Sequence, residues 1–135
     1  MIFSGEVITV SKLAASILLR MQTIPANIIY HSYPIIKEKK VISAGPTTTQ
    51  RFEEIDRKFI EKFRIRVIIG KGDISPSFQA FLCSHNVSYW EYPGGCGALA
   101  ASFIKKKKNI TPSIKGVDSS WLFYIENMKP VSIRF

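Results

Sequence analysis

Residues 47–72 read Thr47-Thr48-Thr49-Gln50-Arg51-Phe52-Glu53-Glu54-Ile55-Asp56-Arg57-Lys58-Phe59-Ile60-Glu61-Lys62-Phe63-Arg64-Ile65-Arg66-Val67-Ile68-Ile69-Gly70-Lys71-Gly72. Phe52, Ile55, Phe59 and Phe63 recur at helical spacing and form one apolar face. Glu53, Glu54, Asp56, Arg57, Lys58 and Lys62 line the other face, acidic early and basic late, as a helix dipole favours. One of the preceding threonines is expected to cap that helix. Val67-Ile68-Ile69 then reads as a short buried strand, with Gly70-Lys71-Gly72 as its exit loop. A turn, an amphipathic helix and a buried strand in succession form the repeating unit of an α/β protein.

The same alternation extends in both directions. Val7 to Val10 reads as a strand, and Ser11 as the cap of a helix through Leu13, Ile17, Leu18 and Met21. Asn27 to Tyr30 is a second strand. A loop containing Pro34 and a lysine run follow, and Val41 to Ala44 leads into the turn at Gly45-Pro46. Beyond Gly72, Pro76 starts a helix with Phe78, Phe81 and Leu82 inward. Val87 to Tyr92 is a strand, and Pro93-Gly94-Gly95-Cys96-Gly97 opens a helix through Ala98, Leu99, Ala101 and Phe103. Trp121 to Ile125 is the last full strand, and Val131 to Phe135 reads as a short edge strand. The expected fold is α/β, a mixed sheet flanked by helices.

The chain has 135 residues, and residues 1–135 are expected to form a single domain, with 46% hydrophobic residues as ample material for one core. No apolar stretch approaches the ~20 residues that a membrane span needs. Glu6 and Lys12 interrupt the N-terminal apolar stretch and argue against a signal peptide, so the expected location is cytoplasmic, with no membrane partner. Cys83 and Cys96 are too few for a disulfide framework or a four-ligand metal site and read as small buried or semi-buried residues. The net charge of +9 comes from 19 basic and 10 acidic residues. Much of the excess sits in Lys37-Glu38-Lys39-Lys40 and Lys105-Lys106-Lys107-Lys108, which read as solvated loops or helix ends. No RRM, KH or helix-turn-helix signature supports a nucleic-acid partner.

Two stretches carry chemistry, each at the end of an apolar strand, where α/β proteins bind ligands. In Ser43 to Arg51, Gly45-Pro46 turns the chain and leaves Thr47 and Thr48 at a helix start, where free N–H groups favour an anion. Arg51, one turn on, can pair with the same anion. Gly70-Lys71-Gly72 adds backbone N–H groups and an ammonium, with a spacing that is not a P-loop. Gly94-Gly95-Cys96-Gly97 resembles a phosphate cradle or a close helix–strand contact. His31 and His85 have no carboxylate or cysteine nearby in sequence and read as structural.

Ser43-Ala44-Gly45-Pro46-Thr47-Thr48-Thr49-Gln50-Arg51, Ile69-Gly70-Lys71-Gly72 and Gly94-Gly95-Cys96-Gly97-Ala98-Leu99-Ala100 together resemble the β subunit of class I fumarate hydratases and L(+)-tartrate dehydratases. That unit is also the C-terminal domain of single-chain class I fumarases. Ser4-Gly5-Glu6-Val7-Ile8-Thr9 is similar to the family's Ser-Gly-x-x-x-Thr opening, and Gly116 through Trp121 to Pro130 to its C-terminal strand region.

The resemblance implies a swivelling β/β/α domain that acts with a partner α subunit, whose cysteines hold a [4Fe–4S] cluster with one open iron. The reaction would be reversible addition or removal of water on a dicarboxylic hydroxy acid such as malate/fumarate or tartrate. Carried over by position, Thr47 would be the catalytic proton-transfer residue. Thr48 would line the pocket, and Arg51 and Lys71, with Gly70 beside them, would bind substrate. A hetero-oligomer such as α2β2 is implied, with a homodimer as the state of the chain alone. Ser11 and Lys12 depart from the family's Arg-Asp, and Arg20 or Lys12 are the cations that could substitute. The chain between this point and Gly45 is short, and its end comes early. The alternative is a non-catalytic anion-binding or scaffold domain derived from the family.

Overall fold

The computed structural model describes residues 1–93 and 97–135. The glycine turn Gly94-Gly95-Cys96, expected to cradle a phosphate or pack a helix closely, lies outside the described residues. The strands are β1 (Phe3–Thr9), β2 (Ile28–Tyr30), β3 (Ile35–Lys37), β4 (Lys40–Ser43), β5 (Val67–Gly70), β6 (Ser88–Glu91), β7 (Ile104–Asn109), β8 (Trp121–Met128) and β9 (Val131–Ile133). The helices are α1 (Lys12–Leu18), α2 (Glu53–Lys62), α3 (Pro76–Ser84) and α4 (Gly97–Ser102), with 3-10 turns at Thr49–Phe52 and Gly116–Asp118. No helix among the described residues is long and apolar enough to cross a membrane.

Seven strands form a mixed sheet in the order β7-β8-β1-β2-β5-β6-β9, and β3 and β4 form a separate hairpin. β1, β2, β5 and β6 are parallel, while β8 and β9 run antiparallel to β1 and β6. Every parallel step moves in one direction along the sheet. Right-handed crossovers then place α1, α2 and α3 on one face. The core follows from the two-residue period of a strand. Ile8, Ile29 and Ile68 pack with Ala14, Leu18, Phe59, Phe78 and Leu82 of these helices. Their neighbours Val7, Tyr30, Val67 and Ile69 point the other way, into a second cluster with Phe123, Ile125, Met128 and Ala100. Each fully buried isoleucine contributes about 1.5–3 kcal/mol relative to exposure.

Local chemistry explains the helix starts. The Ser11 hydroxyl accepts from the Ala14 N–H at 2.9 Å, and the Ser75 hydroxyl from the Phe78 N–H at 3.2 Å, with Pro76 beginning α3. α1 stops at Leu18, short of the expected Met21. α2 departs further from expectation. No threonine caps it, because Thr48 and Thr49 enter a 3-10 turn and the α-helix begins only at Glu53.

Both lysine runs also differ from the expected loops or helix ends. Lys37 to Lys40 forms the tip of the β3–β4 hairpin, with positive φ at Glu38 (49°) and Lys39 (65°) as a two-residue hairpin turn requires. Lys105 to Lys108 lies within β7, the edge strand, paired to β8 through Lys106↔Tyr124 and Lys108↔Leu122. Pairing with a long strand overrides local preference. Lysines there blunt an edge that would otherwise recruit another strand. The Lys107 ammonium also donates to the Lys39 carbonyl, tying the edge to the hairpin tip. Cys83 is exposed on α3, contrary to the expected burial, because it lies off the face that buries Phe78 and Leu82.

Candidate functional site

The segment from Ala44 to Thr49 is laid across the ends of β2 and β5 by one side-chain and two main-chain hydrogen bonds. The Tyr30 phenol donates to the Ala44 carbonyl at 2.5 Å. The Thr47 N–H donates to the His31 carbonyl at 2.8 Å, and the Thr49 N–H to the Lys71 carbonyl at 3.1 Å. Thr48 thereby pairs with Lys71 as an isolated parallel bridge. The two chemistry-bearing stretches, separated in sequence by the whole of α2, thus become neighbours.

Glycine is required at the crossing point. A Cβ at Gly70 would overlap the Thr49 hydroxyl and come within 3.2 Å of the Thr49 Cβ. Gly72 has φ of +84°, which side chains rarely adopt. Its N–H donates to the Glu91 carboxylate at 2.7 Å. Its carbonyl accepts from Tyr89 Oη at 2.7 Å, and the same phenol holds the Thr49 hydroxyl at 3.0 Å. Burial is the main cause that pushes the Tyr89 phenol up to about 12, against the opposing bond to Thr49. It therefore stays a neutral donor at physiological pH.

Around this frame, Thr47 and Thr48 are half-buried, as is Lys71, and Arg51 is exposed on the 3-10 turn. The Thr47 hydroxyl oxygen is buried and has no hydrogen-bond partner among the described residues. Neither Arg51 nor Lys71 forms an ion pair there; the pair found is His31–Asp56. The N-terminus of α1 reaches the same end of the sheet. The Lys12 backbone and Arg51 both favour the ionised form of the Tyr33 phenol. Burial and Asp118 outweigh both and raise Tyr33 above its ordinary value. The Ser11 hydroxyl is committed, accepting from Ala14 and donating to the Asp118 carbonyl at 2.7 Å. Thr47, Thr48, Arg51 and Lys71 thus lie on two segments that meet at this end of the sheet. A groove of about 690 Å³ lies at the opposite end of the strands, between Phe3–Glu6, Gln22–Ile28 and Lys62–Arg64.

The structure adds two residues to this region. His31 and Asp56 are fully buried, with Nε2 and Oδ2 2.8 Å apart, and the imidazole stacks on Phe52 at 4.4 Å. The absence of a carboxylate near His31 in sequence is overcome by the fold, which brings one from 25 residues away. Asp56 is therefore not on the solvated face of α2. Its position, four residues after Phe52 and three before Phe59, already placed it in the apolar stripe.

Desolvation raises Asp56 above the usual carboxylate value of 3.8; His31 opposes this and Glu53 adds to it. A raised value means that the folded chain holds the proton more firmly than the unfolded chain. That stabilisation is complete below the unfolded carboxylate's range and is lost as pH rises through the folded value. Asp56→Asn keeps an acceptor for His31 but cannot ionise. In urea titrations over a pH series, the wild-type midpoint is expected to fall relative to Asp56→Asn as pH rises from about 4. Parallel pH profiles would contradict this.

Among the described residues, the side chains offer no set of ligands for an iron–sulfur cluster. Cys83 is exposed and isolated, and no group of three or more His, Cys, Asp or Glu residues converges on a metal position among the described residues.

Residues 8–134 match the family model described as Fumarase C-terminus. The chain is 30% identical over 113 residues to the "Putative L(+)-tartrate dehydratase subunit beta" of Methanocaldococcus jannaschii, covering 79% of this chain and 58% of that protein. It is 26% identical over 110 residues to the L(+)-tartrate dehydratase subunit beta of Escherichia coli (strain K12), covering 78% and 55%. It is 31% identical over 97 residues to the "Putative fumarate hydratase class I" of Geobacillus stearothermophilus, covering 68% of this chain and 18% of that protein. The chain thus spans a little over half the length of the two β subunits. With a matching family model over nearly all of its length and a mixed α/β sheet flanked by helices, this chain belongs to the Fumarase C-terminus family.

Proposed function

We propose that the chain is the β-type unit of an iron–sulfur-dependent hydro-lyase acting on a dicarboxylic hydroxy acid such as malate/fumarate or tartrate. The observation that carries this reading is the bridge between Thr48 and Lys71, which joins the threonine stretch to the glycine–lysine stretch at a strand end. Arg51 and Lys71 bind the substrate carboxylates, Thr48 lines the pocket, and Gly70 allows the close backbone approach. In dehydration, the Thr47 oxygen accepts the proton from the carbon next to a carboxylate while the electrons of that C–H bond form the double bond and the hydroxyl leaves. Hydration runs the same steps in reverse. A threonine hydroxyl is a weak base, and nearby positive charge favours its ionised form. A [4Fe–4S] cluster held by a partner α subunit would supply Lewis-acid chemistry at the substrate hydroxyl.

Exposed Leu13, Ile35, Ile42, Leu99 and Val117 sit on elements around this end of the sheet and support docking to that partner. Co-expression with a cluster-bearing partner, followed by anaerobic fumarate hydration and tartrate dehydration, tests the reading. Turnover that needs both chains supports it. Within such a complex, Arg51→Gln and Lys71→Met are each expected to raise KM by about 10–100-fold, the worth of one charge-assisted hydrogen bond. Unchanged KM in both would remove them from the carboxylate site.

A second reading, a non-catalytic anion-binding domain, is favoured by the commitment of Ser11 to α1 and Asp118, which leaves no side-chain clamp at that position. A stable complex without turnover on either acid would support it.

A further inference from the structure

His31 and Asp56 are the one buried ion pair among the described residues, and each has a second polar atom, His31 Nδ1 and Asp56 Oδ1, with no hydrogen-bond partner there. A pair kept only for packing would be expected to satisfy those atoms. The pair also lies one hydrogen bond from the candidate site, because the His31 carbonyl holds the Thr47 N–H at 2.8 Å. Next to His31, Ser32 is buried with an unpartnered hydroxyl and bridges Pro46, and the Thr47 oxygen is likewise unpartnered. Polar capacity in excess of its bonds is thus concentrated on residues 31, 32, 47 and 56.

We propose that His31 and Asp56 are a proton-holding pair that acts through Thr47, taking up one proton from solvent when a dicarboxylate enters the threonine end of the sheet. The inference rests on the reading that Thr47, Arg51 and Lys71 receive that dicarboxylate. The two unpartnered atoms, His31 Nδ1 and Asp56 Oδ1, are the positions on the pair where a further proton can be held. An arriving anion raises the proton affinity of a buried negative pair nearby, since little solvent screens the two. The titratable groups that act on Asp56 are His31 from the end of β2, Glu53 from its own helix and Tyr89 from β6. Glu53 is engaged by the Ser75 N–H and hydroxyl, and Tyr89 stays neutral. His31 and Asp56 are therefore the groups left to take the proton. They are positioning residues: neither touches substrate in this scheme.

The test is calorimetric binding of L-malate to the full chain in buffers of different ionisation enthalpy over a pH series, comparing wild type, Asp56→Asn and His31→Gln. Each variant keeps a hydrogen-bonding side chain, and two variants guard against one failing to fold. The expected wild-type result is net proton uptake, with affinity tightening as pH falls by up to about tenfold per pH unit, the limit for one linked proton. At least one folded variant should bind malate with no such slope. Malate binding without proton uptake in wild type, or with equal uptake in both variants, overturns the inference and leaves the carboxylate site intact. No malate binding in any protein overturns the carboxylate site and the inference with it.

Discussion

Thr47→Val is expected to lower kcat of the assembled enzyme by about 10²–10⁴-fold, the usual contribution of a positioned acid–base group. KM should change far less, because the main-chain N–H that anchors this residue to His31 is kept, as are both cations. The substitution is close to isosteric, and the lost hydroxyl has no partner among the described residues. Removing a buried, unbonded hydroxyl does not carry the usual cost of losing a hydrogen bond. The thermal midpoint of the isolated chain should therefore be unchanged or higher. Steady-state kinetics and a thermal melt on the same preparations separate the two effects. A large fall in melting temperature together with lost activity would make Thr47 a structural residue.

Gly70→Ala is expected to cause the largest loss of stability. Its Cβ would overlap the Thr49 hydroxyl, which Tyr89 holds from the other side at 3.0 Å. β5 is buried along its whole length and paired on both edges, so the backbone has little room to move. Overpacking of this kind costs typically about 1–3 kcal/mol, and forcing the Thr48–Lys71 bridge apart adds to it. Thr49→Ala removes the overlapping oxygen, so the double variant should recover part of the loss. A denaturant double-mutant cycle reads that coupling directly. Additive losses would mean that the crossing is not where the strain lies.

Much of the architecture was legible in the chain because the relevant forces are local. The stripe Phe52, Phe59 and Phe63 marked α2, the apolar run Val67 to Ile69 marked β5, and Ser11 marked the start of α1. What failed depended on tertiary partners. Four consecutive lysines have no strand preference of their own and become β7 only because β8 offers a ladder. The Glu38–Lys39 turn carries neither glycine nor asparagine, so nothing local announced a hairpin. The threonine cap was displaced because the Thr49 N–H bonds the Lys71 carbonyl, far away in sequence, and Thr49 begins a 3-10 turn.

The candidate site divides in the same way. The threonine and glycine–lysine stretches could be picked out by composition and resemblance, and the fold makes them neighbours through the Thr48–Lys71 bridge. The layer beneath them was not visible. Tyr89 looked like one aromatic of an alternating strand, yet its phenol braces the Thr49 hydroxyl and the Gly72 carbonyl. His31 looked isolated until α2 carried Asp56 to it. Asp56 did leave one trace, a carboxylate in an apolar helical stripe, and such a residue calls for a buried partner.

The most direct measurement of the proposed chemistry is exchange of the carbon-bound hydrogen of L-malate with solvent deuterium. It would be followed by NMR on the complex with the cluster-bearing partner, for wild type and Thr47→Val. The account predicts exchange by wild type and its loss in Thr47→Val while malate still binds. Exchange at the wild-type rate by a folded, malate-binding Thr47→Val complex would contradict it, because the proton would then move without this hydroxyl.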